Sequence, residues 1–222
     1  MALTFGDGGQ LHGTTWTQDS PGVPGTAEAG DRFGLAVAAG DGYVAVGVPL
    51  ESGESVHTGS VQPFRITADG LAPLPAISVD DPGVPGEQTA EDRFGATVAM
   101  ARPCPGVPGV LVGAPTRPAG EVDQAGAVWV VPLAGGCPAA QLAPTASTSK
   151  PQAMALVGAG VSALRAGGEA ADTLVVVAEG ISEEGVPGRV LTLAPPYSAS
   201  REQLTGLWLG DEGRITLSSP EG

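Results

Sequence analysis

Short apolar runs, most of them four to eight residues long and set off by glycine and proline clusters, recur along this chain of 222 residues. Runs of that length between turn-forming residues predict β-strands rather than helices. Phe33–Ala38, Tyr43–Val48, Gly59–Ile66 and Leu71–Val79 form one set of four. Phe94–Met100, Gly109–Gly113, Gly126–Val131 and a weak strand near Gln141 form a second. A third set comprises Ala155–Leu164, Thr173–Ala178, Gly188–Leu193 and Gln203–Leu209. Leu3–Phe5 and Thr14–Thr17 at one end, and Arg214–Leu217 at the other, read as strands of incomplete units. The pattern predicts an all-β chain.

Two of these sets share a lead-in. Trp16-Thr-Gln-Asp-Ser-Pro-Gly-Val-Pro-Gly25 runs on to Asp31-Arg-Phe-Gly34, and 61 residues later Ile77-Ser-Val-Asp-Asp-Pro-Gly-Val-Pro-Gly86 runs on to Asp92-Arg-Phe-Gly95. The 14-residue step from Asp19 to Phe33 is kept from Asp80 to Phe94, which marks a structural repeat rather than low complexity. Units of this kind bury apolar faces against their neighbours and carry function in their loops. The third set lacks the Phe-Gly pair and reads as an eroded copy. The expected division is 1–30 as a partial unit and lead-in, 31–80 and 81–143 as full units, 144–153 as a Pro/Ser/Thr linker, 154–210 as the degenerate unit, and 211–222 as a terminal strand. The tetrad Gly-Val-Pro-Gly begins at Gly22, Gly83, Gly106 and Gly185. Proline followed by glycine suits positions i+1 and i+2 of a type II turn, so the tetrad predicts turns rather than an elastin-like spring.

Composition narrows the class. Glycine (35) and proline (21) are abundant, but the strand runs between them exclude disorder. A formal charge of −14 argues against nucleic acid, whose phosphates need clustered Lys and Arg. No stretch of eighteen apolar residues predicts a membrane span. The first residues lack the basic and hydrophobic regions of a signal peptide and begin like the middle of a strand, an expectation of a chain cut from something longer. Cys104 and Cys137 are too few for a disulfide framework, and the sequence leaves open either one bridge or two buried thiols.

On Phe33-Gly34 with Gly47-Val48-Pro49, and Phe94-Gly95 with Gly113-Ala114-Pro115, the chain resembles the FG-GAP repeat. This is the unit of integrin α-chain N-terminal β-propellers and of secreted actinobacterial repeat proteins. The lead-in is most similar to the actinobacterial branch. The resemblance covers Trp16 to Val131 well and Met154 to Leu193 weakly. It implies four-stranded blades about a central axis, with Phe33 and Phe94 wedged between blades and the following glycines allowing close strand approach. It also implies an extracellular or cell-surface setting. Three units leave exposed edges, so the expectation is a partial ring completed by further blades, the alternative being a small ring in which Leu3–Phe5, Thr14–Thr17 and Arg214–Leu217 join into one composite blade. Many such units carry a calcium loop rich in aspartate. Calcium needs six to eight oxygens, whereas the first loop offers only Asp41, the second no carboxylate, and the third only Glu169 and Asp172. Asp41 is the single metal candidate, and Asp41-Gly42 reads first as a hairpin turn, so no cofactor is expected.

Catalytic patterns are absent. No Gly-x-Ser-x-Gly elbow, zinc-binding His-Glu-x-x-His or phosphate-cradling loop occurs. His12 and His57 lie in Gly/Ser/Thr-rich loops, and Asp80-Asp81 and Glu183-Glu184 flank turns, where solvated surface is the default. The expected function is a non-catalytic binding or adhesion scaffold contacting a protein or glycan through loops. The alternatives are an accessory module of a secreted hydrolase and a purely structural surface protein.

Overall fold

The structure is a computed structural model and describes residues 2–5, 11–53, 55–142, 155–165, 170–178, 189–193, 204–209 and 215–216. Within them the chain is all-β, without a helix. Strands β1 (Ala2–Phe5) and β2 (Leu11–Thr14) pair as a hairpin. A four-stranded antiparallel meander follows: β3 (Val37–Gly40), β4 (Tyr43–Val48), β5 (Ser60–Thr67) and β6 (Gly70–Pro73). A second repeats it with β7 (Thr97–Cys104), β8 (Val107–Ala114), β9 (Ala127–Pro132) and β10 (Ala140–Leu142). The third meander holds β11 (Val157–Leu164), β12 (Thr173–Ala178), β13 (Arg189–Leu193), β14 (Leu204–Leu209) and β15 (Ile215–Thr216). The terminal strand expected at Arg214–Leu217 thus adds to the third sheet as a fifth strand, pairing Trp208 with Thr216. The 144–153 linker, His12's side chain, Glu169, the Glu183-Glu184 pair and the Gly185 tetrad lie outside the described residues.

The middle sheet is apolar on both faces, which explains the unbroken runs in β8 and β9. Val110, Val112, Ala114, Ala127, Trp129 and Val131 join Ala45, Val61, Val79 and Phe94 in one core against the first sheet. Leu111, Val128 and Val130 alternate with them and join Ala101, Val157 and Val176 in a second core against the third sheet. Period-two alternation is what sends neighbours on one strand into two different cores. The first strands of the units, β3, β7 and β11, pack in succession.

Several strand expectations shift in the structure. Phe33 and Phe94 do not open strands: β3 begins at Val37 and β7 at Thr97. Arg32 (φ 59), Gly34 (φ 88), Arg93 (φ 55) and Gly95 (φ 90) take left-handed backbone, which breaks a strand and forms a turn, closed by the Leu35 and Ala96 N–H groups on the Arg32 and Arg93 carbonyls at 3.0 Å. The stretch Leu71–Val79 is likewise interrupted, since β6 ends at Pro73 and only Ile77 returns, exchanging both backbone hydrogen bonds with Val61 at 2.9 and 2.8 Å. The tetrad turns also move. Val23 and Val84 donate to the Ser20 and Asp81 carbonyls at 3.0 Å, which places Pro21-Gly22 and Pro82-Gly83 at the turn centres. In the third tetrad, Val107-Pro108-Gly109 belongs to β8 and the turn is Pro105-Gly106. Pro-Gly chemistry is right at these sites, but the pair that closes each turn precedes the one in the tetrad.

Candidate functional site: junctions between units and the charged seam beside them

The Phe-Gly residues build a junction that is made twice. Phe94 forms a parallel bridge with Gly59 of the preceding unit, its N–H donating to the Thr58 carbonyl at 2.9 Å, while Arg93 N–H donates to His57 at 3.1 Å. Val157 forms the same bridge with Gly126, with Val157 N–H to Ala125 at 3.1 Å and Leu156 N–H to Gln124 at 3.0 Å. Leu156 (φ 49) and Gly158 (φ 90) repeat the backbone of Arg93 and Gly95. Val157-Gly158 therefore takes the position of Phe-Gly in the third unit, where only the backbone pattern survives. Phe94 is fully buried and meets Trp129 edge-on, ring centroids 5.2 Å apart. Phe33 is half-buried, and Leu35 and Val37 beside it are 53% and 61% exposed.

Gly47 and Gly113 sit on β4 and β8 directly under the neighbouring unit. A Cβ at Gly47 would lie 2.0 Å from the Gly95 carbonyl oxygen, and one at Gly113 would lie 2.3 Å from that of Gly158. Gly34 and Gly95 close the motif by donating to the Gly47 and Gly113 carbonyls at 3.0 and 3.2 Å. Pro49 is buried and Pro115 half-buried just after their strands, and Ala114 is fully buried in the first core. The sequence motif thus marks backbone-to-backbone contact between units.

Asp41 (φ 50) and Gly42 (φ 80) are the two central residues of the β3–β4 hairpin, the positive-φ pair a two-residue turn requires. Both carboxylate oxygens of Asp41 accept hydrogen bonds from arginine. Arg102 donates from Nε at 3.3 Å and Nη2 at 2.9 Å, and Arg165 from Nη1 at 3.1 Å and Nη2 at 2.6 Å. The Arg102 bonds lead in holding the Asp41 pKa below its ordinary value of 3.8, against the opposing effect of burial. The seam continues to Asp172, buried at the start of β12. Its Oδ2 accepts from Arg102 N–H at 2.8 Å, its own N–H donates to the Arg102 carbonyl at 2.9 Å, and Arg165 Nε lies 3.9 Å from its Oδ1. All three units meet here, the first through Asp41, the second through Arg102 and the third through Arg165 and Asp172. Sequence reading singled out Asp41 and Asp172 as sparse calcium donors but missed Arg102 and Arg165, which lie 61 and 124 residues from Asp41. Among the described residues no group of three His, Cys, Asp or Glu converges as a metal cage.

The lead-in loops carry a second charged cluster. Asp31 and Asp92 hold their loops by accepting from the N–H groups three residues earlier, Glu28 at 2.7 Å and Thr89 at 2.9 Å. Asp92 is fully buried, and desolvation pushes its pKa up to about 6 against the pull of Thr89 and Arg117. Arg117 pairs with it, donates to the Glu87 carbonyl at 2.7 Å, and stacks 5.3 Å over the Trp129 ring. On the exposed side His57 Nδ1 lies 2.9 Å from Glu91, which also accepts from Arg93 at 3.2 Å. These bonds, His57 first, hold the Glu91 pKa below its ordinary value. His57 is therefore a junction residue rather than a free loop side chain. Cys104, at the end of β7, is bonded to Cys137 in the Gly-rich segment after β9, closing the choice the sequence left open.

Among the described residues no helix is long and apolar enough to cross a membrane. Comparison with known family models found no match, and neither did comparison with curated proteins.

Proposed function

We propose that this chain is a non-catalytic binding scaffold of the FG-GAP β-propeller type, its meanders standing as successive blades and its lead-in loops contacting a protein or glycan. The observation that carries the reading is the junction made twice with the same backbone bonds, Gly59 with Phe94 and Gly126 with Val157. A contact that repeats between successive units generates a regular array, and a twisted array of four-stranded antiparallel sheets closes into a ring as it grows. The exposed Leu35 and Val37 then mark the face on which a further blade sits. The loops present exposed acidic residues such as Asp19, Glu28, Asp80 and Glu87 on a rigid base, an arrangement suited to recognition. The Cys104–Cys137 bridge favours an oxidising setting outside the cell. With Asp41 committed to two arginines, the scaffold works without calcium.

The test is capture on glycan arrays and from cell-surface extracts, using the wild-type protein beside an Asp80→Lys, Glu87→Lys variant. Retention of a defined ligand by the wild type and its loss in the variant is the expected result. Equal capture by both, or none by either, rejects loop-mediated recognition, and a solution scattering profile incompatible with a ring segment rejects the propeller.

A further inference from the structure

The second unit shows what fills the space beside its β8–β9 pair. Trp129, opposite Val112, is fully buried, and its Nε1–H donates to the Pro85 carbonyl at 2.8 Å beneath the Arg117 guanidinium. The first unit repeats the surrounding backbone. Glu51 N–H donates to Val48 as Arg117 N–H does to Ala114, both at 3.2 Å, and Gly59 N–H reaches Glu51 at 3.0 Å as Gly126 N–H reaches Arg117 at 2.9 Å. Opposite Val46 stands Gln62. Gln62 therefore takes the place of Trp129, and Glu51 the place of Arg117. Ring and cation are both gone, and a cavity of about 120 Å³ remains, lined by Gln18, Pro24, Gly25, Glu51, Ser60 and Gln62 among others.

Two of the polar side chains lining this cavity, Gln62 and Glu51, carry the acceptors. Gln62, only 2% exposed, donates from Nε2 to the Pro63 and Leu74 carbonyls, each at 2.7 Å. Those two bonds orient the amide and leave its buried Oε1 without a hydrogen-bond partner. A buried acceptor in that state costs free energy until a donor reaches it. Glu51 accepts from the Gln18 amide. Burial, opposed by that bond and reinforced by the charges of Asp31 and Glu28, raises its pKa above 4.5. In the second unit an arginine answers Asp92, whereas here a carboxylate stands near Asp31 in its stead.

We infer that this cavity is a binding slot for the planar head of a nitrogen cation, a guanidinium or amidinium group, entering past the exposed Pro24–Gly25 edge, with Glu51 as counter-ion and Gln62 Oε1 as acceptor. A planar cation restores at once the flat filler and the positive charge that the second unit supplies from its own chain. Carboxylates match the N–H fork of such a head in direction as well as charge. This site stands independently of the scaffold reading, since it rests on the comparison of two units within one chain.

The experiment is titration of the protein at pH 7 with methylguanidinium chloride, followed by amide NMR, with methylurea as the uncharged control of the same shape. Saturable shifts at Gln62 and Gly25 with methylguanidinium, and at least tenfold weaker binding of methylurea, are expected. Glu51→Gln should weaken binding at least tenfold, and Gln62→Trp should abolish it while keeping the fold, because tryptophan already fits this backbone in the second unit. Nα-acetylarginine amide distinguishes the sources. Tighter binding than methylguanidinium assigns the slot to an arginine side chain of a partner, and weaker binding assigns it to a small free cation. Equal response to methylurea, or binding that survives Gln62→Trp, overturns the inference.

Discussion

Gly47→Ala tests the junction most directly. Gly47 lies on β4 outside the left-handed region, so alanine there meets no backbone penalty and the entire effect comes from space. The new Cβ would stand 2.0 Å from the Gly95 carbonyl oxygen and 3.1 Å from its carbon, with the Ala36 Cβ at 3.4 Å. Neither obstacle at Gly95 can rotate away, because both are backbone. Gly47 is itself pinned, its N–H on Ala36 at 2.8 Å and its carbonyl accepting from Gly34 at 3.0 Å. Relief therefore requires the first and second units to part by about 1 Å, which loosens the Gly59–Phe94 bridge and the packing of Phe94. Overpacking of rigid surroundings costs roughly 1–3 kcal/mol, and a backbone-on-backbone clash belongs at the upper end of that range. At about 2–4 °C per kcal/mol for a chain of this size, the melting temperature should fall by roughly 6–12 °C. Scanning calorimetry at one scan rate is the assay. Gly135→Ala is the control, since no atom lies within 4 Å of a Cβ there. A Gly47→Ala protein melting within 2 °C of the wild type would refute the claim that this glycine exists for close approach.

Asp41→Asn keeps the hairpin backbone and removes the charge that both Arg102 and Arg165 share, so it should cost about 2 kcal/mol at low salt, read by urea denaturation. Because the Asp41 pKa is lowered in the folded state, that stabilisation is complete above pH 3.8 and is lost as pH falls below it, so wild type and variant should converge in acid. Millimolar calcium should leave the melting temperature of the wild type unmoved; a clear rise lost in Asp41→Asn would reverse the assignment. Asp92 behaves in the opposite sense. With its folded pKa raised from 3.8 to about 6, the native state holds a proton across that window that the unfolded chain releases, so stability declines as pH climbs from about 4 to 6, by about 3 kcal/mol. Asp92→Asn should flatten that slope, and an unchanged pH profile would count against it. Finally, thiol titration of denatured, unreduced protein should find no free thiol at Cys104 and Cys137. Reduction of a bridge closing 33 residues should destabilise by about 4 kcal/mol on a chain-entropy estimate.

How much of this was readable before the structure depends on the range of the interaction. Tyr43–Val48 and Thr173–Ala178 were legible to the residue as β4 and β12, because a short apolar run between glycines and turns has one economical conformation. The duplicated lead-in foretold that two units would be built alike, but close approach was expected at the glycines after Phe33 and Phe94, and the tight contacts at Gly47 and Gly113 lie outside that lead-in. The Phe-Gly pairs were misread as strand starts for a reason that lies outside the local pattern. The left-handed turn at Phe94-Gly95 is held by the carbonyls of His57 and Thr58, and its counterpart at Val157-Gly158 by those of Gln124 and Ala125, each in the preceding unit. Charge partnership was likewise invisible. A lone Asp41 beside glycine looks the same whether it meets calcium, water or two arginines, and only the stacking of β3, β7 and β11 brings Arg102 and Arg165 to it. The exchange of Trp129 for Gln62 shows the same division. Sequence alone determines the period of the strands and the Asp-Gly hairpin turn at Asp41-Gly42, since those follow from torsional preference and side-chain alternation within a few residues. The tertiary structure decides which side chains share a space, because sequence distance places no limit on which surfaces three packed sheets press together.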